Sequence, residues 1–190
     1  DRRSGNRVIW GAALIALVGA AGWWFWPAPA FTLTRTADRN VLVISIDTLR
    51  GDALGSYGGR AATPRLDALA ASGARFTFAH AHAVVTLPSH TSLFTGLYPY
   101  QHGVRDNNGY RVRTGETTLA TRLKVLGFAT GAFVGAFPLD QRFGLNQGFD
   151  VYDDRVPESG PTVDFALPER PANEVVSAAT AWIATQSTPW

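Results

Sequence analysis

A hydroxyl, a carboxylate and several imidazoles fall at positions where they could act together. Thr86-Leu87-Pro88-Ser89-His90-Thr91-Ser92-Leu93-Phe94-Thr95-Gly96 reads as a loop turning into a helix. Pro88 suits a first helical turn, where its missing N–H costs nothing, and Gly96 suits the stop. Thr86 then sits at the mouth of that helix, where free N–H groups and the positive dipole end favour an arriving anion. A hydroxyl there is placed to attack an anionic ester. Asp47 closes the run Val41-Leu42-Val43-Ile44-Ser45-Ile46, and ligands of parallel α/β sheets gather at such strand ends. A carboxylate at that point can hold a divalent cation, which lowers the pKa of a nearby hydroxyl and neutralises an ester. It reads equally as a cap for the loop that follows. Ser89 is a reserve nucleophile, but it lies inside the helix and is better suited to capping or packing. His80 and His82 could bind a metal; with no third ligand nearby they read as polar residues at a strand end.

These groups need a scaffold, and the pattern supplies one of the α/β class. Val41–Ile46 is apolar on both faces, as a strand buried in a parallel sheet is. A glycine-rich loop over 48–62 leads to a helix from Thr63-Pro64 through Ala71, with Thr63 as N-cap and Gly73 just past the end. Residues 74–79 look like a short strand. Residues 97–109 read as a long polar loop, the kind of segment that carries function. A helix is expected over 118–126, stopped by Gly127, then a strand over 128–134. Residues 135–160 are rich in aromatics and turns, and 170–186 form a final helical stretch with Val175, Val176, Ala179 and Trp182 on one side. There are no internal repeats.

The N-terminal end reads differently. Val8 to Trp26 carries no charge and, as a helix, spans roughly 28 Å, close to the hydrocarbon thickness of a bilayer. Arg2, Arg3 and Arg7 precede it and predict a cytoplasmic N-terminus over 1–7; Trp23, Trp24 and Trp26 suit the far interface. Ala28-Pro29-Ala30 resembles a cleavage site, but the apolar run exceeds the ~7–15 residues of a signal-peptide core, so 8–26 is expected to be an uncleaved anchor. Residues 27–39 form a linker. The expected placement is a single-pass protein of the inner or plasma membrane with its main domain on the extracytoplasmic, periplasmic side.

Of 17 basic and 15 acidic residues, Asp1, Arg2, Arg3 and Arg7 all precede Val8, so the rest of the chain is neutral. With Lys124 the only lysine and no interleaving of aromatic and basic residues, nucleic acid is not an expected partner. There is no cysteine, which excludes a disulfide framework and a thiolate metal site.

Four blocks in order carry a resemblance. They are Asn40 to Asp52, Thr63-Pro64-Arg65-Leu66-Asp67-Ala68-Leu69-Ala70, Thr86 to Pro99, and His102-Gly103-Val104. Together they resemble the N-terminal part of a sulfatase, a family of the alkaline phosphatase superfamily. The resemblance implies an alkaline-phosphatase-like fold, a mixed and mainly parallel sheet flanked by helices, over 40–190. It implies a metal-bound nucleophile that hydrolyses or transfers sulfate or phosphate esters. By position, Asp47 matches the first metal-binding aspartate and Thr86 the nucleophile, itself a metal ligand. Asn107 matches an asparagine that contacts the ester oxygens. His102 matches a recurrent loop histidine, either catalytic or a hydrogen-bonded anchor. Formylglycine-using members carry Cys or Ser, then Pro two residues on and Arg two further; here those positions are Thr86, Pro88 and His90. The extra methyl of threonine disfavours formylglycine chemistry and implies direct attack by Thr86. His90 stands in for the arginine that holds the nucleophile, or caps the helix turn. Few carboxylates near Asp47 imply zinc or manganese over calcium as the divalent metal. The remaining ligands of the family lie far downstream, so 40–190 is expected to be an incomplete catalytic domain, inactive by itself. The substrate would be a small-molecule, glycan or lipid ester. Two other readings stay open: a phospho-headgroup transferase of the cell envelope, and a degenerate sulfatase-like binding module.

Overall fold

Two short parallel strands and the helices around them organise the described residues, 39–156 and 169–190, of the computed structural model. In chain order the helices are α1 (Pro64–Ser72), α2 (Thr86–Thr95), α3 (Pro99–His102), α4 (Leu119–Val125) and α5 (Ala172–Ile183). Strand β1 (Gly131–Phe133) pairs in parallel with β2 (Val151–Asp153), Gly131 opposite Val151 and Phe133 opposite Asp153. The connection between the strands holds two short 3₁₀ turns, Phe137–Leu139 and Gln141–Phe143, where an α/β crossover more often has a helix. Helix α5 lies on β1, with the Trp182 ring 5.9 Å from that of Phe133.

The helices form where cap and period agree. Thr118 caps α4 reciprocally: its Oγ1 accepts the Thr121 N–H at 3.1 Å, and Thr121 Oγ1 accepts the Thr118 N–H at 2.8 Å. Helix α2 ends at Gly96, whose φ of 71° is left-handed and suits a residue without Cβ. It begins at Thr86 itself, with Val85 as N-cap, so Thr86 is the first helical residue and not the one before it. Helix α1 runs from Pro64 as expected, but Thr63 does not cap it by its side chain. Thr63 Oγ1 instead accepts the Gly55 N–H and donates to Asp67, tying α1 to the preceding loop.

The core sits under α2. Leu87, Val104, Val112, Leu139 and Leu145 form one buried cluster, with Phe94, Phe143 and Tyr152 packed against it. Each such side chain contributes about 1.5–3 kcal/mol by leaving water. Leu87 and Thr91, four apart, turn inward and are fully buried. Thr86 and His90 lie on a different face and are half-buried.

Several expectations change. Val41–Ile46 is not part of a ladder: among the described residues its one backbone–backbone bond to another segment is Val41 N–H to Trp190 O at 2.7 Å, and Leu42 and Ile44 are 61% and 73% exposed. A β-branched run becomes a strand only when partners take its N–H and C=O groups, and beyond Val41 no backbone partner from another segment takes them among the described residues. Residues 74–79 form no strand for the same reason, and Phe76 and Phe78 are exposed. Strand β2 falls in the stretch read as aromatics and turns, and the helical turn α3 falls in the polar loop. The expected anchor over 8–26 lies outside the described residues, among which no helix is long and apolar enough to cross a membrane.

Candidate active site

The mouth of α2 gathers four of the five expected site residues. Thr86 Oγ1 donates to Asp47 Oδ2 at 3.1 Å, across 39 residues of chain. Thr86 is half-buried and Asp47 exposed, so the pair faces solvent. His90, one turn along α2, comes within 2.8 Å of Thr86 O through Nδ1. A carbonyl only accepts, so Nδ1 carries the proton. The opposite nitrogen, Nε2, lies 2.9 Å from Ser45 Oγ. His90 therefore links the start of α2 to the run that ends in Asp47.

Asn107 works from the other side. Its Oδ1 accepts the Leu87 N–H at 2.8 Å. Helix α2 has no N-cap side chain of its own, so Asn107 supplies the missing acceptor from 20 residues away. Pro88 has no N–H, and the Ser89 N–H goes to Val85 O. The Thr86 N–H is left without a partner among the described residues, beside the Thr86 hydroxyl. A helix mouth with one open donor and a hydroxyl is a site for an anionic group. The side-chain amide nitrogen of Asn107, Nδ2, likewise has no partner among the described residues, while its backbone N–H donates to Asp106 Oδ1 at 2.6 Å.

His102 is elsewhere. It is 2% exposed, its Nδ1 accepts the Val104 N–H at 3.1 Å, and its Nε2 lies 3.0 Å from Ser92 Oγ. With Nδ1 accepting, Nε2 carries the proton and donates to Ser92. Desolvation holds the imidazole below its usual range, so it stays neutral. Both nitrogens are used, joining α2 to the loop after α3. Ser89 lines the cleft at the helix mouth, next to Thr86 and His90, and has no hydrogen bond to either. The rings of His80 and His82 pack on Phe78 and Tyr98, and no group of three metal-ligating His, Cys, Asp or Glu residues occurs among the described residues.

Two contributors were missed from the sequence. Ser45 is the partner of His90; its signal was a hydroxyl inside an otherwise apolar run. Thr48 has φ 52°, a left-handed conformation that a β-branched residue adopts at a cost. Strained backbone of this kind clusters at ligand sites. It turns the chain directly after Asp47, and Thr48 lines the same cleft of about 320 Å³ as Asp47 and Thr86. Sequence alone carries no signal for that angle.

Asp47 and Thr86 fit a divalent cation as donors. Both are hard oxygens, and their 3.1 Å separation lets one cation contact both. Together these features define an α/β domain with a hydroxyl and a carboxylate in contact at a helix mouth.

The Sulfatase family pattern matches residues 39–176, and the chain belongs to the sulfatase family. Human arylsulfatase D is 32% identical over 156 residues, covering 67% of this chain and 26% of that protein. The N-acetylgalactosamine-6-O-sulfatase of Bacteroides thetaiotaomicron is 36% identical over 97 residues, covering 48% of this chain and 19% of the relative. The chain thus spans about a quarter or less of the length of these relatives. The phosphonate monoester hydrolase of Agrobacterium radiobacter superposes with a TM-score of 0.63 at 23% identity, over 80% of this chain and 39% of that one. That likeness establishes the fold as alkaline-phosphatase-like α/β.

Proposed function

We propose that this chain is the N-terminal part of a hydrolase that cleaves sulfate or phosphate esters of small molecules, glycans or lipids by direct attack of Thr86. The single observation that carries the reading is the Thr86–Asp47 hydrogen bond of 3.1 Å beside the open N–H of α2. Family membership supports the same class of chemistry, since the relatives are named as sulfatases. Asp47 and Thr86 would hold a divalent cation, zinc or manganese, which lowers the pKa of a coordinated hydroxyl and offsets the charge of the ester.

The chain's own residues then divide the work. The Thr86 hydroxyl already donates to Asp47 Oδ2, so its proton has an acceptor as Oγ1 bonds to sulfur or phosphorus and the ester oxygen departs. The Thr86 N–H and the Asn107 amide donate to the remaining anionic oxygens, where charge builds up. His90 holds the Thr86 carbonyl and the Ser45 hydroxyl, which fixes the helix mouth against Asp47. Water attack on the Thr86 ester returns the hydroxyl and releases sulfate or phosphate. The run over 8–26, behind Arg2, Arg3 and Arg7, would tether the domain to the membrane on its extracytoplasmic side.

The test is turnover of 4-nitrophenyl sulfate and 4-nitrophenyl phosphate by the intact protein. Thr86→Ala is expected to lower kcat by about a thousandfold or more while the protein stays folded. Undiminished turnover in that variant removes Thr86 as nucleophile. Recovery of the protein in the soluble fraction of lysed cells removes the tether.

A further inference from the structure

The peptide group joining Thr86 to Leu87 is pinned at both poles by side chains. Its carbonyl accepts from His90 Nδ1 at 2.8 Å, and its N–H donates to Asn107 Oδ1 at 2.8 Å. A peptide group is a rigid plane, so holding both poles fixes ψ of Thr86 and the direction in which its side chain leaves the backbone. Helix ends fray, and Val85 at the N-cap of α2 offers no side-chain bond to prevent it. The aim of the Thr86 hydroxyl therefore rests on His90 and Asn107.

His90 is itself held at both ring nitrogens. With the proton on Nδ1, Nε2 is a bare acceptor 2.9 Å from Ser45 Oγ, so the Ser45 hydroxyl donates to it. A ring bonded at one nitrogen can swing about its Cβ–Cγ bond toward water; a ring bonded at both cannot do so without losing a bond. The spacing adds a second constraint. Ser45 and Asp47 lie two apart on one segment, and His90 and Thr86 lie four apart, one turn, on α2. Asp47 meets Thr86 at 3.1 Å and Ser45 meets His90 at 2.9 Å, so two rungs join the same two segments. One rung is a pivot about which α2 can turn; two rungs set the angle.

We infer that Ser45 is a positioning residue for Thr86. Its hydroxyl holds His90 Nε2, which keeps the Nδ1–H on the Thr86 carbonyl and the Thr86 hydroxyl turned to Asp47. Ser45 acts through the imidazole ring and not on the ester. That role accounts for a hydroxyl set within an apolar run, with Val41-Leu42-Val43-Ile44 before it and Ile46 after it. A misplacement of about 1 Å at a reacting atom costs about 10²-fold in rate, and removing a residue that orients a working side chain costs about 10–100-fold. The effect of Ser45 on turnover rests on the reading of Thr86 as nucleophile; its effect on the His90 ring does not.

The test compares Ser45→Val with Ser45→Thr in the intact protein, since both side chains are β-branched and they differ in the hydroxyl. The ring nitrogens of His90 are read by proton–nitrogen NMR of isotope-labelled protein above the ordinary imidazole pKa range, and kcat and KM on 4-nitrophenyl sulfate and phosphate. The parent is expected to show Nδ1 protonated and Nε2 bare. In Ser45→Val both signals move toward the average of the two tautomers, and kcat falls about 10–100-fold with KM within about threefold. Ser45→Thr keeps the parent's ring signals and stays within about threefold of its kcat. Ser45→Ala, which lacks the donor at smaller volume, follows Ser45→Val. Ring signals of Ser45→Val that stay at the parent's positions overturn the inference. So does a Ser45→Thr that behaves like Ser45→Val, because the hydroxyl is then not what matters. A shifted ring with kcat unchanged also overturns it, where Thr86→Ala abolishes turnover. Should Thr86→Ala retain turnover, the nucleophile reading falls and the Leu87 amide decides on Ser45, since it shares its peptide group with the Thr86 carbonyl. An unmoved Leu87 nitrogen signal in Ser45→Val then overturns the positioning role, and a moved one sustains it.

Discussion

Asp47 and Asp153 each end an apolar, strand-type run, and the molecule treats them in opposite ways. Asp153 closes β2 and is 7% exposed. Arg155 binds it with two bonds, at 2.8 and 2.7 Å, and Arg170 Nη1 lies 3.2 Å away, at ion-pair distance without hydrogen-bond alignment. The Arg155 guanidinium, then Arg170, holds the Asp153 carboxyl well below the usual carboxylate range against the opposing cost of burial. Asp47 is exposed, and its side chain has one hydrogen-bond partner among the described residues, the Thr86 hydroxyl. A carboxylate clamped by two guanidinium groups is saturated and serves to join β2 to the chain before α5. A carboxylate facing a hydroxyl keeps its charge available for a cation or a ligand. Position at the end of a strand-type run of sequence is shared; the neighbouring cations separate the structural aspartate from the candidate functional one.

The sharpest way to break that contrast is on activity. Asp47→Asn is expected to reduce kcat/KM of the intact protein on 4-nitrophenyl esters by about 10²–10³-fold, with its unfolding free energy unchanged within about 0.5 kcal/mol. Asp153→Ala should do the reverse kind of damage. Losing one partner of a buried pair leaves the buried Arg170 with only its contacts to Glu174 among the described residues, a 3.8 Å ion pair and a hydrogen bond to the carbonyl, and costs about 3 kcal/mol in urea unfolding. A cost under about 1 kcal/mol would erase the distinction between the two aspartates.

Acid sharpens the same point. The folded-state pKa of Asp153 is depressed, so its unfolded form takes up a proton first, near pH 4. Its stabilisation is present above about pH 4 and is lost as pH falls toward the folded value. The thermal midpoint of Asp153→Asn should therefore fall less steeply below pH 4 than that of the parent protein. Equal slopes would show that the arginine clamp is not what makes this aspartate structural.

The two histidines extend the comparison along α2. His102→Ala leaves Ser92 Oγ and the Val104 N–H unsatisfied in the core and is expected to cost about 1–3 kcal/mol. His90→Ala, at the half-buried mouth, should cost about 0.5–1.5 kcal/mol, the ordinary worth of hydrogen bonds there. Urea midpoints of the two variants read the difference, and a larger loss at His90 would reverse the assignment of the two faces.

Much of the site was legible because it is local. Pro88 and Gly96 marked the helix, and the ordered blocks between Asn40 and Val104 marked the family, whose pattern matches 39–176. The 41–46 run was read as a buried strand from its composition, but composition does not supply the neighbour that would pair with it. Strand β2 was missed because three residues, Val151–Asp153, are too few to show alternation. Whether His102 acts at the site or anchors a loop could not be read from its place in His102-Gly103-Val104. Its burial and its two protein partners put it with the core.

What the sequence determined by itself was local and ordinal: where helices start and stop, which residue types could do chemistry, and the order of the family's blocks. These follow from caps, periodicity and side-chain chemistry, all encoded within a few residues of each other. Tertiary structure alone decided that Thr86 meets Asp47 across 39 residues, that Asn107 caps α2 from 20 residues away, and that Ser45 receives His90. It also decided that Asp153 is saturated by arginines while Asp47 is not. The reason is physical. A hydrogen bond or an ion pair depends on distances of about 3 Å, and distances between remote residues are set by how the core under α2 packs.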